Sequence, residues 1–395
     1  MKLWRKLAIV ALAFVMIFAF SACANQETPE TPTGTPSETP SEEPKAETPS
    51  EGTYEIALIT DVGTIDDKSF NQGSWEGVVA YAEEAGKTYK YYKPAEKSDD
   101  AYLTSIDLAV KAGAKIIVCP GFLFEVPVFN AQEKYPQVNF IILDGNPHAG
   151  DYNPVVKENT LSIFYAEEEA GFLAGYAAVK DGYKKLGFMG GMAVPAVVRF
   201  GYGYVQGAEQ AAEELGLAAG EVEIKYTYVG NFDASPENMA KAAAWYNEGT
   251  EVIFACGGAV GNSVMKAAET AKTKVIGVDV DQSAESETVI TSSMKNLTKS
   301  VYDALTEYYD NAFKGGDIIS LDATVGGVQL PMENSRFATF SQADYDDIYD
   351  KVVNKEFEIL NDADVLEIGT KAGKTADEVT AATIPVENVK VEVIK

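Results

Sequence analysis

The stretch Tyr54–Gly86, YEIALITDVGTIDDKSFNQGSWEGVVAYAEEAG, reads as three pieces. Its first seven residues are a short apolar run with Ile and Thr in it, bounded by a polar turn segment, and are expected to form a buried strand. Its last thirteen carry apolar residues at helical spacing and stop at Gly86, the residue type that best closes a helix. Between them, Asp61–Gly73 crowds Asp61, Asp66, Asp67, Lys68, Ser69, Asn71 and Gln72 around a single aromatic ring, Phe70. In an open parallel sheet, ligands lie beyond the carboxyl ends of the strands. A polar loop in that position is therefore a candidate binding loop.

The same rhythm continues outward. EIALIT, KTYKYYKP, AKIIVCPG, VNFIILDG, KLGFMGG, VEIKYTYVG, EVIFACGG, KVIGVDVD and VITSSMKN alternate with amphipathic helical segments, most of which end at Gly. Ser98 and Ser235 stand where helix N-caps are expected. Apolar runs alternating with helices imply an α/β fold with parallel sheets covered on both faces. The pattern occurs twice, so two doubly wound parallel-sheet lobes around a central cleft are expected, an N-terminal one over 54–162 and a C-terminal one over 163–296. A further helix, LTKSVYDALTEYYDNAFKGG, a strand-like DATVGGVQL and a helix, SQADYDDIYDKVVNK, follow. Part of 297–330 is expected to rejoin the first lobe and part of 331–395 the second. DVGTIDDKSFNQG, PGF, DGN, GGMAVPAVVRF, VGNF, CGGAVG and DVDQ all follow strands, and converge on one cleft if the lobes face each other.

The amino terminus sets the compartment. Lys2, Arg5 and Lys6 precede an apolar run from Leu7 to Phe20 and small residues up to Cys23, the layout of a secretory signal peptide over 1–22. The run is shorter than the roughly 20 residues a membrane span needs. FSAC resembles the lipobox of bacterial lipoproteins, with Phe20 in place of the usual Leu, which makes Cys23 the expected lipidation site. Residues 23–53, rich in Thr-Pro and Ser-Glu, cannot bury enough surface to offset their ordering entropy and are expected to be a disordered tether. The chain holds 32 Lys+Arg against 60 Asp+Glu, net −28, and three of the positive charges lie in the first 22 residues, leaving −31 for the rest. That field opposes nucleic acid and free phosphates. Cys119 and Cys256 each close an apolar run and read as buried thiols, and one histidine, His148, leaves little room for zinc or for catalysis built on several histidines.

ALITDVGTIDDKSFNQGSWEG, AGAKIIVCPGF, NFIILDG, EAGFLAGYAA, KLGFMGGMAVPAVVRFGYGYVQGA, VIFACGGAVGNSVMKAA, VIGVDVDQ and VITSSMKN, in this order, resemble the basic membrane protein family, lipoproteins related to the treponemal purine nucleoside receptor. The resemblance spans about residues 54–315. It implies a type I periplasmic-binding-protein fold, a nucleoside ligand, and delivery to the permease and ATPase subunits of an ABC importer. A lipid-anchored monomer on the extracytoplasmic face of the membrane is the expected form, with no cofactor, no metal and no nucleic acid partner.

A nucleoside offers a flat base with hydrogen-bonding edges and a vicinal diol. Aromatic stacking holds the base, and a carboxylate or amide reads its edges. Phe70 is the expected stacking ring, a role that the resemblance also assigns to it. Asp61 and Asn71 beside it, and Asp144 at the end of VNFIILDG, are expected at the base edges. Phe200 is expected as the second aromatic face, with Tyr202 and Tyr204 as competitors for that place. Gly258, next to Gly257, allows close backbone approach. Asp279 and Lys295 suit a diol, with Asp281 the alternate for Asp279, and a structural Asp–Lys salt bridge is the competing reading.

Other classes fit less well. The Asp61, Asp66 and Asp67 cluster could serve a glycosidase or hold Mg²⁺, but the chain shows no nucleophile elbow, phosphate-binding loop or metal-spaced His/Cys set. It is expected not to be an enzyme. A binding protein for a sugar or other small solute, or a ligand-sensing surface lipoprotein, is the alternative.

Overall fold

The computed structural model describes residues 53–394. The expected signal peptide, Cys23 and the tether up to residue 52 lie outside the described residues. Strands β1 (Ile56–Ile59), β2 (Tyr89–Tyr92), β3 (Ile116–Pro120), β4 (Asn139–Leu143) and β5 (Thr160–Tyr165) come first. Then follow β6 (Lys185–Gly190), β7 (Val222–Tyr228), β8 (Val252–Cys256), β9 (Lys274–Asp279) and β10 (Val289–Lys295). Near the end of the chain lie β11 (Ile318–Leu321), β12 (Val328–Gln329) and β13 (Val389–Val393). Two sheets result, in the orders β11-β5-β4-β3-β1-β2 and β12-β10-β9-β8-β6-β7-β13. All pairings are parallel except β10 with β12.

The strands are apolar on both faces because both faces are covered. In β1, Ile56 and Leu58 join the cluster that includes Val78 and Tyr81 of helix α1 (Phe70–Ala85). Ala57 and Ile59 turn to the other cluster, with Tyr102 and Ile106 of α2 (Asp99–Lys111) and Val128 of α3 (Glu125–Lys134). The second sheet is arranged likewise. Helices α4 (Glu167–Lys180) and α5 (Pro195–Glu214) cover one face, while α6 (Pro236–Asn247) and α7 (Val260–Ala271) cover the other, where Trp245 and Val264 meet Ile253. Ser98 and Ser235 cap α2 and α6, accepting hydrogen bonds from Ala101 N and Asn238 N.

The chain passes between the sheets three times. β5 belongs wholly to the first sheet, through Tyr165, and crosses the expected 162/163 boundary before α4 begins on the second. β10 of the second sheet leads into α8 (Leu297–Tyr309), which packs on α1, and β11 of the first leads to β12 of the second. Hydrogen bonds from Ala166 N to Leu321 O and from Asn296 N to Gly327 O tie the crossings together. The strand expected in DATVGGVQL is reduced to Val328–Gln329, since Ala323–Val325 form a 3₁₀ turn that ends at Gly326 with φ 68°. The longer strand of this region, Ile318–Leu321, precedes it.

Two features position the site. Helices α4 and α5 touch backbone to backbone, because a Cβ at Gly203 would lie 1.9 Å from Glu168 O and one at Gly171 2.0 Å from Phe200 O. This contact brings the first turn of α4 against Arg199 and Phe200 of α5. The carboxyl-terminal segment then straps the outer side of α5. After α9 (Gln342–Val353), Gln206 exchanges hydrogen bonds with Leu360 N and O, and α10 (Asp362–Lys371) follows. Glu209 accepts from the backbone N–H groups of Glu387, Asn388 and Val389, which seats β13 on the edge of β7.

Candidate functional site

A cavity of about 410 Å³ opens where the carboxyl ends of the two sheets face each other. Asp61, Phe70, Asn71, Asp144, Phe200, Gly258, Asp279 and Lys295, drawn from both lobes, all line it. Asp281 does not. Its carboxylate accepts from Ser283 N and Asn334 Nδ2 outside the cavity, so Asp279 is the one of the two aspartates that lines it.

The loop after β1 is built around two carboxylates. Asp67, nearly buried, accepts from the backbone N–H groups of Ser69, Asn71 and Gln72 and so fixes the start of α1. Burial raises its pKa to about 6. Phe70 is thereby the first residue of α1, with a half-buried ring in the cavity wall. Asn71 gives both amide hydrogens inside the loop, to Asp61 Oδ1 at 2.9 Å and Asp67 Oδ2 at 2.8 Å, and accepts Asp61 N at 3.1 Å. The hydrogen bonds to Asp61, including that from Gly63 N at 2.7 Å, all fall on Oδ1, which leaves Oδ2 to the cavity. Burial pushes the Asp61 carboxyl up.

Across from this loop, Lys295 at the end of β10 meets carboxylates from both lobes. Its Nζ lies 2.5 Å from Asp144 Oδ2 at the end of β4, 3.3 Å from Glu167 Oε1 and 3.6 Å from Asp279 Oδ1 at the end of β9. It also sits 4.4 Å from the Phe70 ring centroid and 5.4 Å from that of Phe200. Burial opposes its charge, but Asp144, Glu167 and Asp279 together hold the ammonium above its ordinary pKa. Burial raises Asp144 and Asp279 despite Lys295. Both residues have positive φ, 54° and 67°, a conformation that costs a non-glycine residue free energy and clusters at functional sites. Asp144 Oδ1 is buried without a hydrogen-bond partner among the described residues. The Lys295–Asp279 contact, which the competing structural reading named, is thus part of a larger ionic cluster centred on Lys295.

Phe200 reaches the cavity but is 1% exposed and packs edge-to-face on Phe254, so most of it is core. Tyr202 and Tyr204 are buried among core side chains. Phe232, in the loop after β7, also lines the cavity and is half-buried. Gly258, with φ 54°, lets the backbone turn beside it. Gly257 makes its close approach to Gly191, where a Cβ would lie 2.6 Å from the backbone nitrogen. Cys119 and Cys256 are buried free thiols, and Cys256 forms part of the cavity wall.

Four residues escape a reading of the sequence. Phe232 stands in VGNF, a stretch placed at the cleft without its ring being singled out. Ser69 donates to Asp279 Oδ2 at 2.5 Å across the lobes. Glu167 and Arg199, paired at 2.6 Å, stand behind Lys295. The acidic triplet Glu167–Glu169 looks like ordinary first-turn acids complementing a helix dipole, and nothing local distinguishes its first member. Among the described residues no cluster of His, Cys, Asp and Glu is arranged to hold a metal ion, and no helix is long and apolar enough to cross a membrane.

Two sheets, parallel but for the β10–β12 pair, joined by three crossings and with a cavity between their carboxyl ends, define the type I periplasmic-binding-protein fold. The fold matches ABC transporter solute-binding proteins of Aeropyrum pernix (TM-score 0.63, 23% identity, 84% of this chain and 83% of that one) and Conexibacter woesei (TM-score 0.63, 20% identity, 78% and 99%). The family of ABC transporter substrate-binding proteins described as PnrA-like matches residues 55–363, and the chain belongs to it. Its relatives include the ABC transporter nucleoside-binding protein BmpA of Lactococcus lactis, 32% identical over 71% of this chain and 82% of that one. Basic membrane protein B of Borreliella burgdorferi is 28% identical over 76% and 86%. The family is one of binding proteins rather than enzymes.

Proposed function

We propose that the cleft captures a nucleoside, of the purine class, for the permease and ATPase subunits of an ABC importer. The observation that carries this reading is the half-buried Phe70 ring in a cavity wall that also holds the Asp144 carboxylate and Asp61, whose Oδ2 takes no hydrogen bond from its own loop. A base stacked on Phe70 supplies an N–H group to Asp61 Oδ2 and sets its edge beside the Asp144 carboxylate, with Phe232 on the second lobe as the further aromatic contact. Asp279 and Lys295 take the ribose diol, and Asn71 acts through Asp61, which it holds in place. A volume of about 410 Å³ is of the size small-molecule sites have. The likeness to a nucleoside-binding relative favours this ligand over a sugar.

The charge of the lining supplies the test. Asp61, Asp66, Asp67, Asp144, Asp233 and Asp279 stand against Lys93 and Lys295, and Lys295 is already engaged by carboxylates. Calorimetric titration should show a 5′-monophosphate binding at least about tenfold more weakly than its nucleoside, through repulsion in a cavity where carboxylates outnumber cations. Equal affinities would refute the assignment of these carboxylates, and no heat with any nucleoside would refute the ligand class. Anchoring through a lipid on Cys23 belongs to the same proposal. Incorporation of a palmitate analogue should be lost in Cys23→Ala, and release of unlabelled wild-type protein would overturn it.

A further inference from the structure

Neither Glu167 nor Arg199 is among the residues that line the cavity, yet both are committed to it. The Glu167 side chain is 0% exposed and bridges two cations, Lys295 Nζ at 3.3 Å through Oε1 and Arg199 Nε at 2.6 Å through Oε2. Arg199 in turn reaches Asp362 Oδ1 at 3.6 Å, at the start of the strap on α5. A carboxylate taken wholly out of water is tolerated only when paired and hydrogen-bonded, and apolar residues of the same volume usually serve stability as well. The pair also adds no net charge, since one anion and one cation enter together. Charge balance at the cavity therefore does not require it. What it supplies is geometry. Lys295 has three N–H groups: Glu167, outside the cavity lining, takes one and Asp144 another, while Asp279 Oδ1 at 3.6 Å is too far for a hydrogen bond, so the third is not committed to a carboxylate.

We propose that Glu167 and Arg199 are positioning residues that lock the Lys295 ammonium against Asp144 and so keep the Asp144 carboxylate oriented for its ligand. The assignment rests on the reading of the cavity as a nucleoside site. The charged and titratable groups facing Asp144 are Lys295 of β10, Glu167 of α4, Arg199 of α5 and Tyr165 of β5, with Asp279 of β9 sharing Lys295. Glu167 raises the Asp144 carboxyl and Arg199 lowers it, so the two halves of one ion pair act on the site in opposite directions. A ligand N–H needs an ionised Asp144. Affinity must therefore fall as the pH drops through the pKa of that carboxyl.

The test is the pH dependence of inosine binding to the full folded domain, followed by calorimetry from about pH 8 down to about pH 5, together with a carboxyl ¹³C titration of the ligand-free protein in which Asp144→Asn identifies the Asp144 signal. Glu167→Gln should move both midpoints down by about one pH unit and Arg199→Met should move them up, while Arg199→Lys, which keeps the charge, should leave them in place. A purely structural pair would weaken binding in both variants alike without separating the midpoints, and that result, or no movement at all, overturns the proposal. If Glu167→Gln does not fold, Arg199→Met against Arg199→Lys still decides it. If inosine does not bind wild-type protein while the Asp144 signal shifts as stated, the ligand assignment fails and the positioning role stands.

Discussion

Lys295→Met should lower the stability of the ligand-free protein by about 3–5 kcal/mol at neutral pH, the cost typical of removing one partner from a buried ionic cluster. The reason is not the loss of one salt bridge. Asp144, Glu167 and Asp279 would be left facing one another in a largely buried site, with Arg199 as the one remaining cation of the cluster. The loss should depend on pH with a definite sign. Burial already raises Asp144 and Asp279, and removing the ammonium raises them further. A carboxyl whose pKa in the folded state lies above its unfolded value favours folding while protonated, and that contribution vanishes as the pH rises through the folded-state pKa. The deficit of Lys295→Met should therefore shrink in acid and be greatest at neutral pH. Adding Asp144→Asn should recover part of it. Chemical denaturation at a series of pH values measures all of this. A variant as stable as wild type at neutral pH would mean that Lys295 does not neutralise the cluster.

Phe70→Ala should cost binding rather than folding. Loss of one stacking face is worth about 1–3 kcal/mol, or roughly 5- to 150-fold in affinity for a purine nucleoside. The upper part of that range is expected here, because the ring also lies 4.4 Å beneath the Lys295 ammonium, whose position it helps define. Phe70 is the first residue of α1, half-buried, and Asp67 rather than Phe70 holds the helix start. The thermal midpoint without ligand should accordingly stay near that of wild type. The rise produced by ligand, which follows RT ln(1 + [L]/Kd), should largely disappear. Wild-type affinity in the variant would remove Phe70 from the site, and an unfolded ligand-free variant would make it a core residue.

Much of the fold could be read from local patterns. Apolar runs four to seven residues long became strands, the Ser98 and Ser235 caps formed, and polar stretches placed after strands came together at one cavity. Each depends on neighbours within a few residues, and a linear sequence displays such neighbours directly. DATVGGVQL misled for the same kind of reason, since its apolar residues suggest a strand while its paired glycines favour a turn, and the turn prevailed.

What only the tertiary structure decided is the division of labour within the site. Asn71 and Asp61 look equally fit for a ligand in sequence, but folding spends the hydrogens of Asn71 on its own loop and leaves Asp61 Oδ2 open. Asp279 and Asp281 differ by two residues, and the backbone turn at Asp279 sends one carboxylate into the cavity and the other away from it. Phe200 and Phe232 are both aromatic residues following strands of the second lobe, yet helix packing buries the first while a loop presents the second. Ser69 with Asp279, Asp144 with Lys295 and Glu167 with Arg199 join positions that are 210, 151 and 32 residues apart. By itself the sequence determined the residue types available and the strand ends that carry them. Which charge meets which is a matter of distances of a few ångströms across two lobes, and those follow from how the sheets and the glycine-lined helices α4 and α5 pack.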